Sequence, residues 1–96
     1  MHAVVRSYSG ENASVVFDLI ERDADDIGNA FTAIPGFISY TAIRTADGGV
    51  TGTVCDDKNG TDESSKRAAE LIKERTDVMI NPPEIMEGDT SLHVTR

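Results

Sequence analysis

The stretch Ile34-Pro35-Gly36-Phe37-Ile38-Ser39-Tyr40-Thr41-Ala42-Ile43-Arg44 leads into Asp47-Gly48-Gly49 and a second β-rich run, Val50 to Cys55. Pro35 biases the residue before it away from helical angles, so a helical pattern ends here. The two β-rich runs around the glycines predict a β-hairpin. One helical pattern precedes the hairpin and one follows it, with a short strand at each end of the chain. This order, β-α-β-β-α-β, decides the fold class.

The outer elements are predicted from periodicity. Residues 3–8 are strand-like. From Ser14 an apolar residue recurs every three or four positions up to Ile34, which predicts one helix. Gly28 within it marks either a kink or a place where the helix lies close to the sheet. Thr61 is the predicted N-cap of the second helix, and Asn81-Pro82-Pro83 forbids further helix. Residues 90–94 are predicted to form the last strand.

The hairpin has two distinct faces. A two-residue turn at Asp47-Gly48 places Tyr40 across from Cys55, whereas a bulge at Gly49 shifts the pairing by one. One face carries Phe37, Thr41, Ile43, Val50 and Val54, and the other carries Tyr40, Arg44, Thr51, Thr53 and Cys55. We expect the first face to pack against the helices. The second face, together with Ala42 and Val4, is too apolar to remain in water, so we expect a second copy of the chain to cover it.

Composition limits the functions that this chain can serve. It has 96 residues, a formal charge of −8 and one cysteine. A single domain spanning residues 1–96 is expected. The acidic balance argues against duplex nucleic acid and anionic membranes as partners. The first residues do not form a signal peptide, and a lone cysteine fits a cytoplasmic protein.

Two βαβ-type units around a central hairpin make a ferredoxin-like α+β sandwich. We expect an antiparallel four-stranded sheet of order 4-1-3-2 with two helices on one face. Other families with this layout fit less well. A metal-transport domain needs a Cys-x-x-Cys loop, and an RNA-recognition motif needs strand aromatics with basic residues. The small amino-acid-sensing regulatory domains share the layout and stay open as an alternative.

The helix ending in Ile34-Pro35-Gly36-Phe37, the Ser39-Tyr40 strand, the glycine hairpin and the helix start Thr61-Asp62-Glu63-Ser64 carry a resemblance. The chain resembles the dimeric α/β-barrel superfamily, which contains the antibiotic-biosynthesis-monooxygenase-like domains, and in particular its small uncharacterised bacterial members. The resemblance implies a homodimer whose sheets meet face to face, with ligand pockets between sheet and helices. Members include cofactor-independent monooxygenases, haem-degrading enzymes, isomerases and proteins without known activity.

Five residues are candidates for a ligand pocket: Tyr40, Arg44, Thr53, Cys55 and His93. A phenol and a guanidinium on one face can hold an anionic aromatic substrate and stabilise an enolate or phenolate. The plainer interpretation places Tyr40 in the dimer interface and pairs Arg44 with an acid. Arg6 and Tyr8 form a similar pair on the first strand.

The remaining candidate groups are weaker evidence for a metal site or a catalytic residue. His2 and His93 are expected on neighbouring strands, but two histidines without a third ligand make a weak metal site, and we expect neither metal nor cofactor. The resemblance ties haem degradation to an asparagine, a tryptophan and a histidine ligand, and this chain has no tryptophan, which argues against that activity. Asp56 and Asp57 beside Cys55 raise a thiol pKa, which favours a structural cysteine over a nucleophile.

Two functions therefore remain. The first is a cofactor-independent, monooxygenase-like enzyme acting on a small aromatic or anionic molecule. The second is a non-catalytic ligand-binding or stress-related dimer of the same fold. A pocket lined by aliphatic side chains alone would favour the second, and a cation or an acid–base pair in the pocket would favour the first.

Overall fold

The computed structural model describes all residues from Met1 to Arg96. The elements in chain order are β1 (His2–Ser9), α1 (Ala13–Arg22), α2 (Ala24–Thr32), β2 (Phe37–Thr45), β3 (Gly48–Cys55), α3 (Lys58–Arg75) and β4 (Glu84–Asp89). All four strands pair antiparallel in the order β2-β3-β1-β4, which is 4-1-3-2 read backwards. The ferredoxin-like fold class is confirmed. None of the helices combines the length and apolarity required to cross a membrane.

The first predicted helix is two helices. The chain leaves helical angles at Asp23, which has φ −111° and ψ 32°. Gly28 lies inside α2 and is not the place of the kink. Because of the break, α1 packs mainly on β3 while α2 packs on β2, so two short helices cover different parts of one twisted sheet.

The second predicted helix begins earlier than Thr61. Asp57 is its N-cap, and the Asp57 side chain accepts a hydrogen bond of 3.2 Å from the Gly60 N–H. Thr61 and Ser64 lie inside the first turns and are buried against the sheet. The earlier start lets this helix place several small hydroxyl side chains over the sheet.

The last strand is residues 84–89, and the prediction of residues 90–94 was wrong. β4 pairs with β1 from Ser7↔Glu84 to His2↔Asp89, and the Thr90 N–H then donates to the Met1 carbonyl. His2 is the first residue of β1, so residues after Asp89 have no further β1 residue to pair with. The acidic residues of β4 suit an edge strand, because charges oppose further pairing.

The hairpin register differs from the predicted one by two residues. Thr45 pairs with Gly48 and Tyr40 with Thr53, which leaves Ala46 and Asp47 as the loop. A shift of two keeps every side chain on its face, so Tyr40, Arg44, Thr51, Thr53 and Cys55 do share one side of the sheet. A bulge at Ile38 moves Phe37 to that same side, where it packs on the core of α2.

The helices cover the opposite face from the one expected. Phe31 of α2 stacks on Tyr40 at 4.3 Å between ring centroids, and Thr53 and Cys55 are fully buried. Thr41, Ile43, Val50 and Val54 lie on the other side, which no helix covers. Strand alternation correctly predicts which residues share a face of the sheet. The prediction that the more hydrophobic face packs against the helices was wrong. The hydroxyls of Thr51 and Thr53 are buried because an arginine on β1 bonds to them.

Candidate functional site

Arg6 is the only Lys, Arg, Asp or Glu residue among the buried residues, with 1% of its surface exposed. Strand alternation puts Val4, Arg6 and Tyr8 on the helix-covered side of β1. Arg6 lies directly opposite Thr51 of β3, and α3 passes above it. A charged residue is thus held at a position whose neighbours on the same side of β1 are core residues.

Four hydroxyl groups surround the Arg6 guanidinium. Nη1 donates to Thr51 Oγ1 at 3.3 Å and to Thr53 Oγ1 at 3.1 Å. Nη2 donates to Ser64 Oγ at 2.6 Å and to Ser65 Oγ at 3.1 Å, and Nε donates to the same Ser65 oxygen at 3.3 Å. All five N–H groups of the side chain therefore have an acceptor.

No carboxylate accompanies this charge. None of the ion pairs of the protein includes Arg6. Burial lowers the pKa of Arg6, and the groups whose charges oppose that shift are Tyr8, Tyr40 and Cys55 rather than an aspartate or a glutamate. Buried charges are normally paired, and the chain has 17 acidic residues with which to pair one. The hydroxyls satisfy the hydrogen bonds of Arg6 but leave its charge uncompensated.

A cleft of about 290 Å³ opens beside Arg6. Its floor is formed by Arg6 and Tyr8 of β1 with Ile85 of β4, one wall is α3, and the other wall is the α3–β4 connection. The residues lining those two walls are Ser65, Ala69, Ile72, Ile80, Asn81, Pro82 and Pro83. The volume is near the lower end of the range for small-molecule sites, so it suits a small fused-ring molecule.

The connection that forms the outer wall is held in place by its sequence. Pro82 and Pro83 restrict the backbone to extended angles and remove two N–H donors. Further back, Asn12 Nδ2 donates to the Met79 carbonyl at 3.2 Å, which ties the connection to the start of α1. A mostly apolar wall thus stands opposite α3, with the Asn81 amide as its polar group.

A smaller cavity of about 30 Å³ lies deeper, between the sheet and all three helices. It is lined mainly by core side chains such as Leu19, Phe31 and Leu71, with Tyr8 and Tyr40 at its edge. This volume holds a few water molecules at most and no organic ligand. The cleft beside Arg6 is therefore the candidate site.

Both tyrosines of the chain lie next to Arg6 and stay protonated at neutral pH. Burial raises the pKa of Tyr40 to about 12, although the Arg6 charge opposes the shift. Burial also raises the pKa of Tyr8, and the positive charge of Arg6 again opposes this shift. A neutral phenol is a hydrogen-bond donor, and Tyr8 lines the cleft. Tyr8 is thus placed to donate to an oxygen atom of a molecule bound there.

The five predicted pocket residues do not meet in one place. Thr53 binds Arg6, and Tyr40 lines the inner cavity, so these two lie at or near the site. Arg44 is on the outer surface, where Nη2 binds Asp18 and Nε binds Glu21, both at 2.8 Å. That pairing with acids is the plainer interpretation of Arg44.

Cys55 and His93 also lie away from the cleft. The Cys55 thiol is buried against Gly60, and burial followed by the charges of Asp57 and Asp56 raises its pKa, which suits a structural cysteine. His93 is exposed in the segment after β4, so it is not on the strand beside His2. His2 itself is buried, with Nδ1 2.7 Å from Thr61 Oγ1 and Nε2 3.6 Å from Glu87.

Arg6 and Tyr8 are not among the five predicted pocket residues, and neither are Ser64, Ser65 and the residues of the Pro82-Pro83 wall. One signal was present in the sequence. Arg6 faces the same side of its strand as Val4 and Tyr8, because alternate residues of a strand share a side. A charged residue therefore occupies a position where the pattern predicts a core residue. Such a position is occupied by a charge only when partners on other elements satisfy it, and those partners are distant in sequence.

No protein-family model and no curated protein matches this chain. Solved structures, in contrast, do match this chain. ActVA-Orf6 of Streptomyces coelicolor, a monooxygenase solved with nanaomycin D, is 20% identical over 99% of this chain and 90% of its own, with a TM-score of 0.61. MhuD of Mycobacterium tuberculosis, a haem degrader solved with two haems bound, is 14% identical over 99% of this chain and all of its own, with a TM-score of 0.68.

A third neighbour is a protein of unknown function, NE2512 of Nitrosomonas europaea. It is 14% identical over 99% of this chain and 92% of its own, with a TM-score of 0.69. The cofactor-independent oxygenase SnoaB of Streptomyces nogalater also matches, with a TM-score of 0.61. The chain thus has the fold of antibiotic-biosynthesis-monooxygenase-like proteins, as the resemblance implied. At these identities the likeness establishes the fold alone. Any reaction has to be inferred from the residues of the candidate site.

Proposed function

We propose that this protein binds a small aromatic anion in the cleft beside Arg6 and oxygenates it without a cofactor. The observation that carries the proposal is the buried Arg6 charge without a carboxylate, at the floor of a cleft with apolar walls. Such a cation attracts an anion of complementary shape and stabilises negative charge in a site with little water. Of the residues predicted from sequence, Thr53 keeps a place in this proposal as a hydrogen-bond partner of Arg6, and Tyr40 as a neutral phenol nearby.

The proposed reaction needs only an enolisable substrate and O₂. The cleft binds the substrate as its enolate or phenolate, with the positive charge of Arg6 nearby and the neutral Tyr8 phenol as a donor to its oxygen. The carbanion carbon then reacts with O₂. One oxygen atom stays on that carbon as a carbonyl, and the other leaves as water with the two hydrogens of the original CH₂ group. The electrons come from the substrate, so no metal, flavin or haem takes part.

Anthrone serves as a test substrate for this reaction. We expect the protein to speed its conversion to anthraquinone well above the uncatalysed rate, with one O₂ consumed for each anthraquinone formed and no accumulation of peroxide. Oxygen-electrode traces and chromatography of the product measure both quantities. Uptake of O₂ at the background rate, by protein that demonstrably binds aromatic anions, would exclude the oxygenase half of the proposal.

The second candidate function, ligand binding without catalysis, is favoured by one observation. No carboxylate, imidazole or thiol lines the cleft, so no residue there is an obvious general base. Under this alternative the same cleft binds the same class of molecule, and anthrone is oxidised only at the uncatalysed rate.

The open face of the sheet supports a homodimer, through the side opposite the helices. Val5, Ile43 and Met86 are 40%, 57% and 75% exposed on this face, and Val50 and Val54 lie among them. A contiguous apolar surface of this kind is unusual for a monomer and typical of an interface. The proposed dimer keeps the face-to-face packing of sheets, but its interface includes Ile43, Val50 and Val54, which the sequence analysis assigned to the core face. A cytoplasmic location is also part of this proposal, since the lone thiol is buried and unpaired.

The dimer is tested by charges placed on the open face. Wild-type protein at micromolar concentration should scatter light as a particle of about twice 10.3 kDa. Ile43→Lys with Met86→Lys buries two charges at the interface and should give the monomer mass. Met79→Lys, at a residue 85% exposed on the α3–β4 connection, is the matched control and should remain dimeric. A monomer mass for the wild type would refute this part of the proposal.

A further inference from the structure

Ser65 is bound to Arg6 in a way that two oxygen atoms would satisfy better than one. The Nε–H and one Nη2–H of a guanidinium point in parallel from the same edge of the group. In this protein both donate to the single oxygen of Ser65, at 3.3 and 3.1 Å. These distances are longer than the 2.6 Å from Nη2 to Ser64 and than the usual charge-assisted bond. One hydroxyl thus fills an edge that matches the two oxygens of a carboxylate.

This edge is also the side of Arg6 that faces the cleft. Thr51, Thr53 and Ser64 are each buried, whereas Ser65 is only half-buried and lines the cleft with Arg6. The Ser65 side chain can turn away with no change in the backbone of α3. The other three hydroxyls then continue to hold Nη1 and Nη2, so the guanidinium keeps its position when Ser65 leaves.

We infer that the molecule bound in the cleft carries a carboxylate group, which displaces the Ser65 hydroxyl and binds Arg6 through both Nε and Nη2. The inference rests on the proposed function and adds the class of its substrate, an aromatic carboxylate. The carboxylate supplies the negative charge that the chain itself does not place beside Arg6. The rings then lie between Ala69 and Ile72 of α3 and the Ile80–Pro83 wall. The reacting position of the substrate lies beside Tyr8 on the floor of the cleft.

The direct test compares two ligands of the same shape. 2-Naphthoate and 2-naphthamide differ in charge and in the presence of the second acceptor oxygen. Binding is measured by calorimetry and by the fluorescence of the two tyrosines, since the chain has no tryptophan. We expect naphthoate to bind about 10- to 100-fold tighter, the ratio that a charge-assisted, two-point contact gives. Equal affinities would overturn the carboxylate inference and leave the proposed function standing, and no binding of either ligand would overturn both.

Substitution of Ser65 provides a second test. Ser65→Asp places a carboxylate of the chain itself on the Nε/Nη2 edge, so it should raise the melting temperature and abolish the preference for naphthoate. Ser65→Ala removes only the competing hydroxyl and should keep or increase that preference. Ser14→Asp adds the same charge at an exposed position of α1 and is the control for net charge. A naphthoate preference that survives in Ser65→Asp would place the carboxylate elsewhere and refute the inference.

Discussion

Arg6→Met is expected to abolish the binding of aromatic anions while leaving the fold nearly as stable as before. The affinity for 2-naphthoate should fall at least 30-fold, about 2 kcal/mol, because the only cation in the cleft is gone. The free energy of unfolding should change by less than about 2 kcal/mol. Burying a charge without a counter-ion costs several kcal/mol, and losing that cost offsets the loss of the hydrogen bonds to Arg6. Calorimetry and urea unfolding measure the two quantities.

Arg44→Met is the matched control, since it removes the same charge from a residue already paired with Asp18 and Glu21 on the surface. It should bind naphthoate as the wild type does. Exposed ion pairs contribute about 0–1 kcal/mol, so its stability should also change little. A loss of several kcal/mol in Arg6→Met would show that Arg6 serves the fold rather than a ligand. Unchanged affinity in that variant would remove Arg6 from the site.

Gly49→Ala is expected to destabilise the protein by about 3–5 kcal/mol, enough to unfold many domains of this size. Gly49 has φ +156° and lies opposite Tyr8 on the helix-covered side of the sheet. A Cβ atom at this position would overlap the Phe17 ring and the Ile43 carbonyl oxygen. Neither can move freely, because Phe17 is 2% exposed in the core and the carbonyl belongs to the paired strand β2. Backbone strain and overpacking each cost roughly 1–3 kcal/mol.

Gly28→Ala is the control for this substitution. Gly28 lies within α2, and a Cβ atom there would meet no other atom within 4 Å. The alanine should therefore stabilise the helix by up to about 1 kcal/mol. Thermal unfolding of both variants measures the difference. If Gly49→Ala melted at the wild-type temperature, the packing of Phe17 directly on the sheet would be wrong.

The fold could be predicted from local features of the sequence. The Pro35 helix stop, the glycine hairpin and the two helical patterns gave the element order, and that order has few three-dimensional solutions. Hydrophobic alternation also placed Tyr40, Thr51 and Thr53 on one face correctly. It could not tell which face the helices cover, because Ile43, Val50 and Val54 are the more hydrophobic set although they are left uncovered. We propose that a second copy of the chain covers them.

The site could not be predicted in the same way. Arg6 is separated by 45 to 59 positions from the hydroxyls that hold it, and no local pattern links Thr51 and Thr53 with Ser64 and Ser65. Arg44, the arginine that the sequence favoured, is neutralised by two acids of α1 that helical spacing brings above β2. What distinguishes the two arginines is the presence or absence of a carboxylate partner, and only the packed structure reveals that.

Arg6 is held without a counter-ion, and we propose that the ligand supplies one. A crystal structure of the wild-type protein grown with 2-naphthoate tests this proposal. We predict density for the naphthyl rings against Ile72 and Ile80, with both carboxylate oxygens on Nε and Nη2 of Arg6 and the Ser65 hydroxyl turned away. An empty cleft with Ser65 still bound to Arg6, under conditions where naphthoate binds elsewhere on the protein, would show that Arg6 is not the binding site for a carboxylate.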